Sequence, residues 1–356
     1  MKQLCLLLAL VCFAATFAGD VPWLDDVTTP PADVPEPAKP LVPLLVDDNG
    51  RPITSIDGWK ARRKELREAW LEFLGPLPQA PSGGITLKTV SEETLDHCTR
   101  TLVRYEVEPG RVVEAFLLRP NGSTEEKRPA VVVFHPTNVE TIHVVAGTGG
   151  RPDQHLGLRL AERGFVVFCP ANFLWEEKDY KQAVAAARKR HPDSLGMATM
   201  LADGMRAVDI LSTLPGVDSD RIGAIGHSLG AKEVLYLTAF DERVKVGVSS
   251  EGGVALDSTN WDDPWYLGDA INRPAFARNH HELLALAAPR SLLILGGESG
   301  RGASDGDRSW PYLVAAQKVY RLYDEPVRLG LLNHREGHKL SPANAEKAFE
   351  WLEAGL

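Results

Sequence analysis

Six short apolar runs shape the chain beyond residue 128: "PAVVVFHP", "GFVVFCP", "RIGAIGH", "VKVGVSSE", "SLLILGGE" and "VRLGLLNH". Each is nearly continuous in Val, Ile, Leu, Phe, Ala and Gly. A strand of that kind has no face to offer to water. Between the runs lie stretches with helical spacing of apolar residues, at 195–214, 229–240, 310–323 and 342–354. Strands buried on both faces and alternating with helices specify a doubly wound, mostly parallel sheet.

Upstream the pattern differs. "ITLKTV", "CTRTLVRYEV" and "RVVEAFLLRP" are joined by short polar turns and predict an antiparallel meander, which forms an antiparallel N-terminal edge to the sheet. Before it, "DGWKARRKELREAWLEFLG" has helical spacing, with Trp59, Leu66, Trp70 and Phe73 on one face and Gly75-Pro76 as the stop. Residues 20–45 are dense in proline and predict an extended lead-in with few backbone hydrogen bonds of its own.

The first eighteen residues read as a cleaved signal peptide: Lys2, then "LCLLLALVCFAATF", then the small-residue site "TFA". The apolar run is too short to favour a spanning helix. The expected organisation is a signal peptide over 1–18, a Pro-rich extension over 19–56 and a single α/β domain over 57–356, in a secreted or periplasmic protein. Cys5 and Cys12 leave with the signal. Cys98 and Cys169 form no disulfide framework, and either one bridge or two buried thiols fits the count. Net charge is −9, or −10 without Lys2, with no basic stripe. That argues against nucleic-acid and anionic-membrane partners. Oligomeric state has no signature here.

The segment "IGAIGHSLGAKEVLYL" carries the chemistry. A strand pattern runs into Gly226-His227-Ser228-Leu229-Gly230 and a helix pattern follows at once. A serine in a strained strand-to-helix turn leaves no room for side chains two positions away on either side, hence the two glycines. The turn lies at a strand carboxyl end, where ligands of such sheets bind. A hydroxyl needs a base, and Gly337-His338 in the loop after the last strand supplies one, with His334 as runner-up. In "HREGH" Arg335 occupies the place where a zinc protease motif needs glutamate, so no metal is expected, and no cofactor.

On these residues the chain resembles the α/β-hydrolase fold over roughly residues 85–356, and most closely dienelactone-hydrolase-like and carbohydrate esterases. The resemblance implies the chain order serine, acid, histidine. Most such enzymes carry the acid after the strand "SLLILGGE", where Gly300 stands in the usual slot and Asp305 lies further on. Glucuronoyl esterases can carry it one strand earlier, and the spacing from Ser228 to Glu251 is similar to theirs, as is Lys232 four places after the serine. Glu251 is therefore the first choice of acid and Asp305 the alternative. That family also has arginine directly after its nucleophile, where this chain has Leu229.

The oxyanion donors are expected at the N–H groups of Leu229 and Thr137, with Asn138 next and His135 bracing the loop. Trp261, Trp265 and Trp175, at strand carboxyl ends, together with Lys232, are expected to contact a polysaccharide ester. The reading placed first is an acetylxylan-esterase-like serine carboxylesterase, and the second a glucuronoyl esterase. A prolyl-oligopeptidase-type peptidase and a non-catalytic binding member of the fold are the remaining classes. The first lacks the chain length for an N-terminal propeller, and the second would have lost its serine or histidine.

Overall fold

A computed structural model of the chain describes residues 20–122, 125–299 and 304–356. The proposed signal peptide, with Cys5 and Cys12, and Gly300 lie outside these. Nine strands form one sheet: β1 (Lys88–Thr94), β2 (Cys98–Glu108), β3 (Arg111–Pro120), β4 (Arg128–Phe134), β5 (Val166–Pro170), β6 (Val217–His227), β7 (Val244–Ser250), β8 (Ser291–Gly296) and β9 (Leu329–Asn333). Their order is β1-β2-β3-β5-β4-β6-β7-β8-β9. The pairs β1/β2, β2/β3 and β3/β5 are antiparallel, and all pairs from β5/β4 to β8/β9 are parallel. The fold is thus an α/β-hydrolase fold with the antiparallel edge that the sequence implies. β1 starts three residues later than "ITLKTV", because its side chains are all exposed and no burial fixes its register, and β6 starts four residues before "RIGAIGH".

The helices are α1 (Leu24–Thr28), α2 (Ile56–Leu74), α3 (Ile142–Ala146), α4 (Leu156–Glu162), α5 (Tyr180–Arg190), α6 (Gly196–Thr213), α7 (Leu229–Phe240), α8 (His281–Ala287), α9 (Trp310–Tyr320) and α10 (Pro342–Gly355). Two cores lie on opposite faces of the sheet. One takes Val132, Ala224 and Ile294 together with α2, α6, α7, α8 and α9. The other takes Val131, Val133, Ile225 and Leu293 together with α1, α3, α4 and α10. Successive strand residues feed opposite cores, which is why the runs carry no polar alternation. Cys98 and Cys169 are both buried and unbridged.

The proline-dense lead-in is irregular over most of its length, as expected, and departs from the expectation near its start. It carries α1, and Val21, Trp23 and Val27 are buried in the second core. Trp23 stacks on Trp351 at 5.8 Å and its Nε1 donates to Glu350 at 2.6 Å. Gln317 donates to the Thr28 carbonyl at 2.9 Å, and Arg328 pairs with Asp20 at 2.6 Å. Side-chain anchors replace the ladder that proline forbids.

The chain crosses β4 to place β5 on one side and β6 on the other, so the topological switch point falls between β4 and β6. Their carboxyl ends carry the loop at 135–141 and the turn at Ser228. No helix among the described residues is long and apolar enough to cross a membrane.

Candidate active site

β6 ends at His227 and α7 begins at Leu229. Ser228 between them has φ 59° and ψ −112°, a positive-φ conformation that a non-glycine residue adopts only under local constraint. The constraint is close packing. A Cβ at Gly226 would collide with the backbone of Gly230, and one at Gly230 would lie 2.5 Å from the Phe134 carbonyl oxygen. The two glycines thus let β4, β6 and α7 meet beneath the serine. The Ser228 N–H donates to the Ser250 carbonyl at 2.8 Å, tying the turn to the end of β7.

His338 lies in the loop after β9, with Nε2 2.9 Å from Ser228 Oγ. Its Nδ1 lies 3.5 Å from Glu251 Oε2. Glu251 sits one residue beyond β7, also at positive φ (59°), and its N–H donates to the Leu295 carbonyl at 2.8 Å. Its carboxylate is buried. Oε2 accepts from the N–H and the hydroxyl of Ser304 at 2.8 and 3.2 Å, and Oε1 lies 3.0 Å from His334 Nε2. Burial alone would push this carboxyl up, but donors at His334, His338 and Ser304 outweigh it and bring it to about 2. A carboxylate held ionised beside an imidazole can fix the ring's tautomer and stabilise its protonated form.

Asp305 is placed differently. It is buried, and its two oxygens accept from the N–H groups of Gly253 and Val254 at 2.8 and 2.6 Å. Burial raises its pKa to about 6. Its carboxylate braces the loop that follows Glu251 and is not turned to His338, which corrects its candidacy as the alternative acid.

Leu229 opens α7, so its N–H is a first-turn donor without a partner inside the helix. Thr137 is exposed and directly follows Pro136, which together with His338 lines one cavity. His135 braces this loop: Nδ1 donates to the Pro136 carbonyl at 2.8 Å, and Nε2 accepts from the Asn172 N–H at 3.2 Å. Burial lowers its pKa to about 4, so the ring is neutral. Among the described residues no group of three or more His, Cys, Asp or Glu side chains is placed to hold a metal ion.

Of the expected substrate contacts, Trp261 and Lys232 are packed away from any surface. Trp261 is fully buried, packs 4.3 Å from His280 and donates from Nε1 to the Gly253 carbonyl at 2.7 Å. Lys232 is only 4% exposed, with Nζ 3.7 Å above the Trp261 ring and 5.0 Å above Tyr266, and it donates to Thr259. Both belong to the support beneath the 252–267 loop, because an aromatic core is where their apolar stems and rings lose most water. Trp265 is half-buried between Tyr180 and Tyr266. Trp175 stacks edge-on against His135 and lines a separate cavity of about 330 Å³ with Val139, Thr141, His143 and Asn172.

The cavity that reaches the histidine is another one. It has a volume of about 390 Å³ and is lined by Pro136, Val145, Arg151, Leu156, His227, His338 and Leu340, among others. His227, the residue before the serine, is kept neutral by burial and by the nearby His338, at about 3. Sequence reasoning missed Arg151, Leu156 and Leu340. Their segments have turn composition or weak helical spacing, and only the fold brings them to the serine.

Fold and site define the class, an α/β hydrolase with a serine, histidine and glutamate close together at the switch point. Comparisons with known proteins agree on the fold and on the esterase class. The dienelactone hydrolase family model matches residues 113–277. A 4-O-methyl-glucuronoyl methylesterase from Hypocrea jecorina is 29% identical over 130 residues, which span 29% of this chain and 28% of that protein. Among solved structures, a glucuronoyl esterase from Solibacter usitatus superposes with a TM-score of 0.73 at 19% identity, covering 90% of this chain and 98% of that one. A protein assigned as an acetyl xylan esterase from Bacteroides fragilis gives 0.61 at 16% identity, covering 79% and 76%.

Proposed function

We propose that this chain is a secreted serine carboxylic ester hydrolase that cleaves uronate esters on plant polysaccharide, in the manner of a glucuronoyl esterase. The observation that carries the reading is the contact of His338 Nε2 with Ser228 Oγ at 2.9 Å, with the acid supplied from the end of β7 by Glu251. Similarity to the Hypocrea and Solibacter esterases supports the uronate ester over the acetyl ester, which reverses the order that the sequence suggested.

Ser228 Oγ attacks the ester carbonyl while His338 Nε2 takes its proton. The oxyanion rests on the N–H groups of Leu229 and Thr137. The imidazolium, held by Glu251, returns the proton to the leaving alkoxide, and water then repeats the sequence on the acyl-enzyme. The proton donor stands on the wall of the 390 Å³ cavity, so this cavity receives the alcohol. Its apolar walls, Val145, Leu156 and Leu340, suit an alcohol with a bulky apolar body.

One residue favours acetate removal as a second reading. Leu229 buries its side chain in the core where the glucuronoyl family has arginine, so backbone donors alone face the oxyanion. The test is hydrolysis of a methyl or benzyl glucuronate ester beside acetate release from acetylated xylo-oligosaccharides, with Ser228→Ala as control. A Ser228-dependent preference for the uronate ester is expected. A Ser228-dependent preference for acetate would overturn the uronate reading.

A further inference from the structure

Glu251 is shared. Its Oε2 faces His338 Nδ1 at 3.5 Å, but its Oε1 lies closer to a second imidazole, His334 Nε2, at 3.0 Å. His334 is one residue past β9, where its N–H donates to the Gly296 carbonyl at 2.9 Å, and its side chain is 3% exposed. The proton on that ring is placed by its neighbour: the Glu336 N–H donates to Nδ1 at 3.2 Å, so the ring hydrogen sits on Nε2, the nitrogen 3.0 Å from the carboxylate. Glu251 Oε1, His334 Nε2 and His338 Nδ1 are all buried and none of them makes an aligned hydrogen bond, so the carboxylate's contacts with the two rings, at 3.0 and 3.5 Å, are close charge contacts, and the two ring nitrogens have no other partner. Gly297 is part of the fit. A Cβ there would lie 2.9 Å from Oε1.

We propose that His334 is a positioning residue for the reaction, acting through Glu251. The inference rests on the Ser228, His338 and Glu251 assignment above. A carboxylate can turn about its last bond, and each turn exchanges which oxygen faces His338. Ser304 fixes Oε2 and His334 fixes Oε1, so the plane of the carboxylate is set from both ends. His338 then meets one defined acceptor, and its Nε2 stays directed at Ser228.

The experiment measures the rate at which a fluorophosphonate labels Ser228, which does not depend on knowing the natural ester, together with kcat on 4-nitrophenyl acetate. His334→Ala is expected to lower both by about 10²-fold, the cost of an ångström-scale misplacement. His334→Gln, whose amide N–H reaches the Nε2 position, should recover most of the loss. His334→Asn, which reaches only the Nδ1 position, should not. In a Glu251→Gln background His334→Ala should add nothing, because the residue acts only through that carboxylate. An equal further loss in that background, or wild-type rates in His334→Ala, would overturn the proposal while leaving the nucleophile in place. Should His334→Ala not fold, the Gln and Asn pair carries the same contrast, and equal rates for the two would overturn it. Wild-type protein that takes up no label at Ser228 would overturn both this proposal and the function it rests on.

Discussion

The two sides of Ser228 are built on opposite plans. On the His338 side an open cavity of about 390 Å³ is walled by Val145, Leu156 and Leu340, with the exposed Arg151 at its margin. On the side of the loop after β7, the residues that composition marks as sugar contacts are packed away: Trp261 is fully buried and Lys232 lies across its ring. Aromatic content near a strand end therefore does not locate a substrate surface. The same rings that could stack on a sugar also give the largest gain from being covered, and here the 252–267 loop covers them. What distinguishes the open side is less conspicuous, a few aliphatic residues from three separate segments.

The largest effect expected is at the serine itself. Ser228→Ala should reduce kcat by about 10⁶-fold and abolish fluorophosphonate labelling. Labelling that survives would remove the premise on which the two sides are compared. Next comes the acid. Glu251→Gln should cost about 10⁴-fold in kcat, the scale of losing the group that holds the imidazole. Asp305→Asn tests the other loop. It exchanges one acceptor oxygen for a donor facing the Gly253 and Val254 N–H groups, so it should lower the melting temperature, by about 1–3 kcal/mol in stability, while kcat stays within an order of magnitude. If the two variants exchanged their behaviour, the acid would belong to the loop after β8.

Much of this is legible in the sequence. The six apolar runs predict the parallel strands because residues that feed two cores cannot alternate with polar ones. The two glycines around Ser228 predict the turn because close approach of β4, β6 and α7 permits nothing larger. His338 could be chosen from its place in the loop after the last strand, and Glu251 from the resemblance of its spacing from Ser228 to that of the glucuronoyl esterases. The lead-in was less legible: proline density hides α1 and the burial of Trp23, since anchoring by side chains leaves no periodic trace. The cavity was not legible at all. Leu340 lies far in sequence from Arg151 and Leu156, and proximity of that kind is a property of the fold.

Two further variants sharpen the contrast between the sides. Trp261→Ala removes a fully buried ring and should destabilise the protein by about 3–5 kcal/mol. Its KM for a methyl ester should hardly change in whatever fraction remains folded. Leu340→Ala, on the open side, should leave stability nearly intact and raise KM for a glucuronate ester of a bulky alcohol, by about tenfold at most, without affecting the methyl ester. Thermal denaturation and paired kinetics read both. A KM effect for Trp261→Ala on the methyl ester would show that the covered side opens to substrate.

The smallest effect concerns Lys232. Burial pushes its ammonium down to about 7, while the ring faces of Trp261 and Tyr266 at 3.7 and 5.0 Å favour keeping the charge. The folded pKa lies below the value in the unfolded chain, so between the two the unfolded state binds more protons. Unfolding free energy should then rise as pH climbs from about 7 toward the ordinary lysine range, and the penalty of the buried charge should be fully present below about 7. Lys232→Met keeps the apolar stem against Trp261 and removes the titration. Denaturant unfolding of the two proteins across this window should show a rise in the wild type that the variant lacks. Parallel curves would mean that the two rings hold the ammonium charged throughout, and that the covered side of Ser228 is built around a permanent cation.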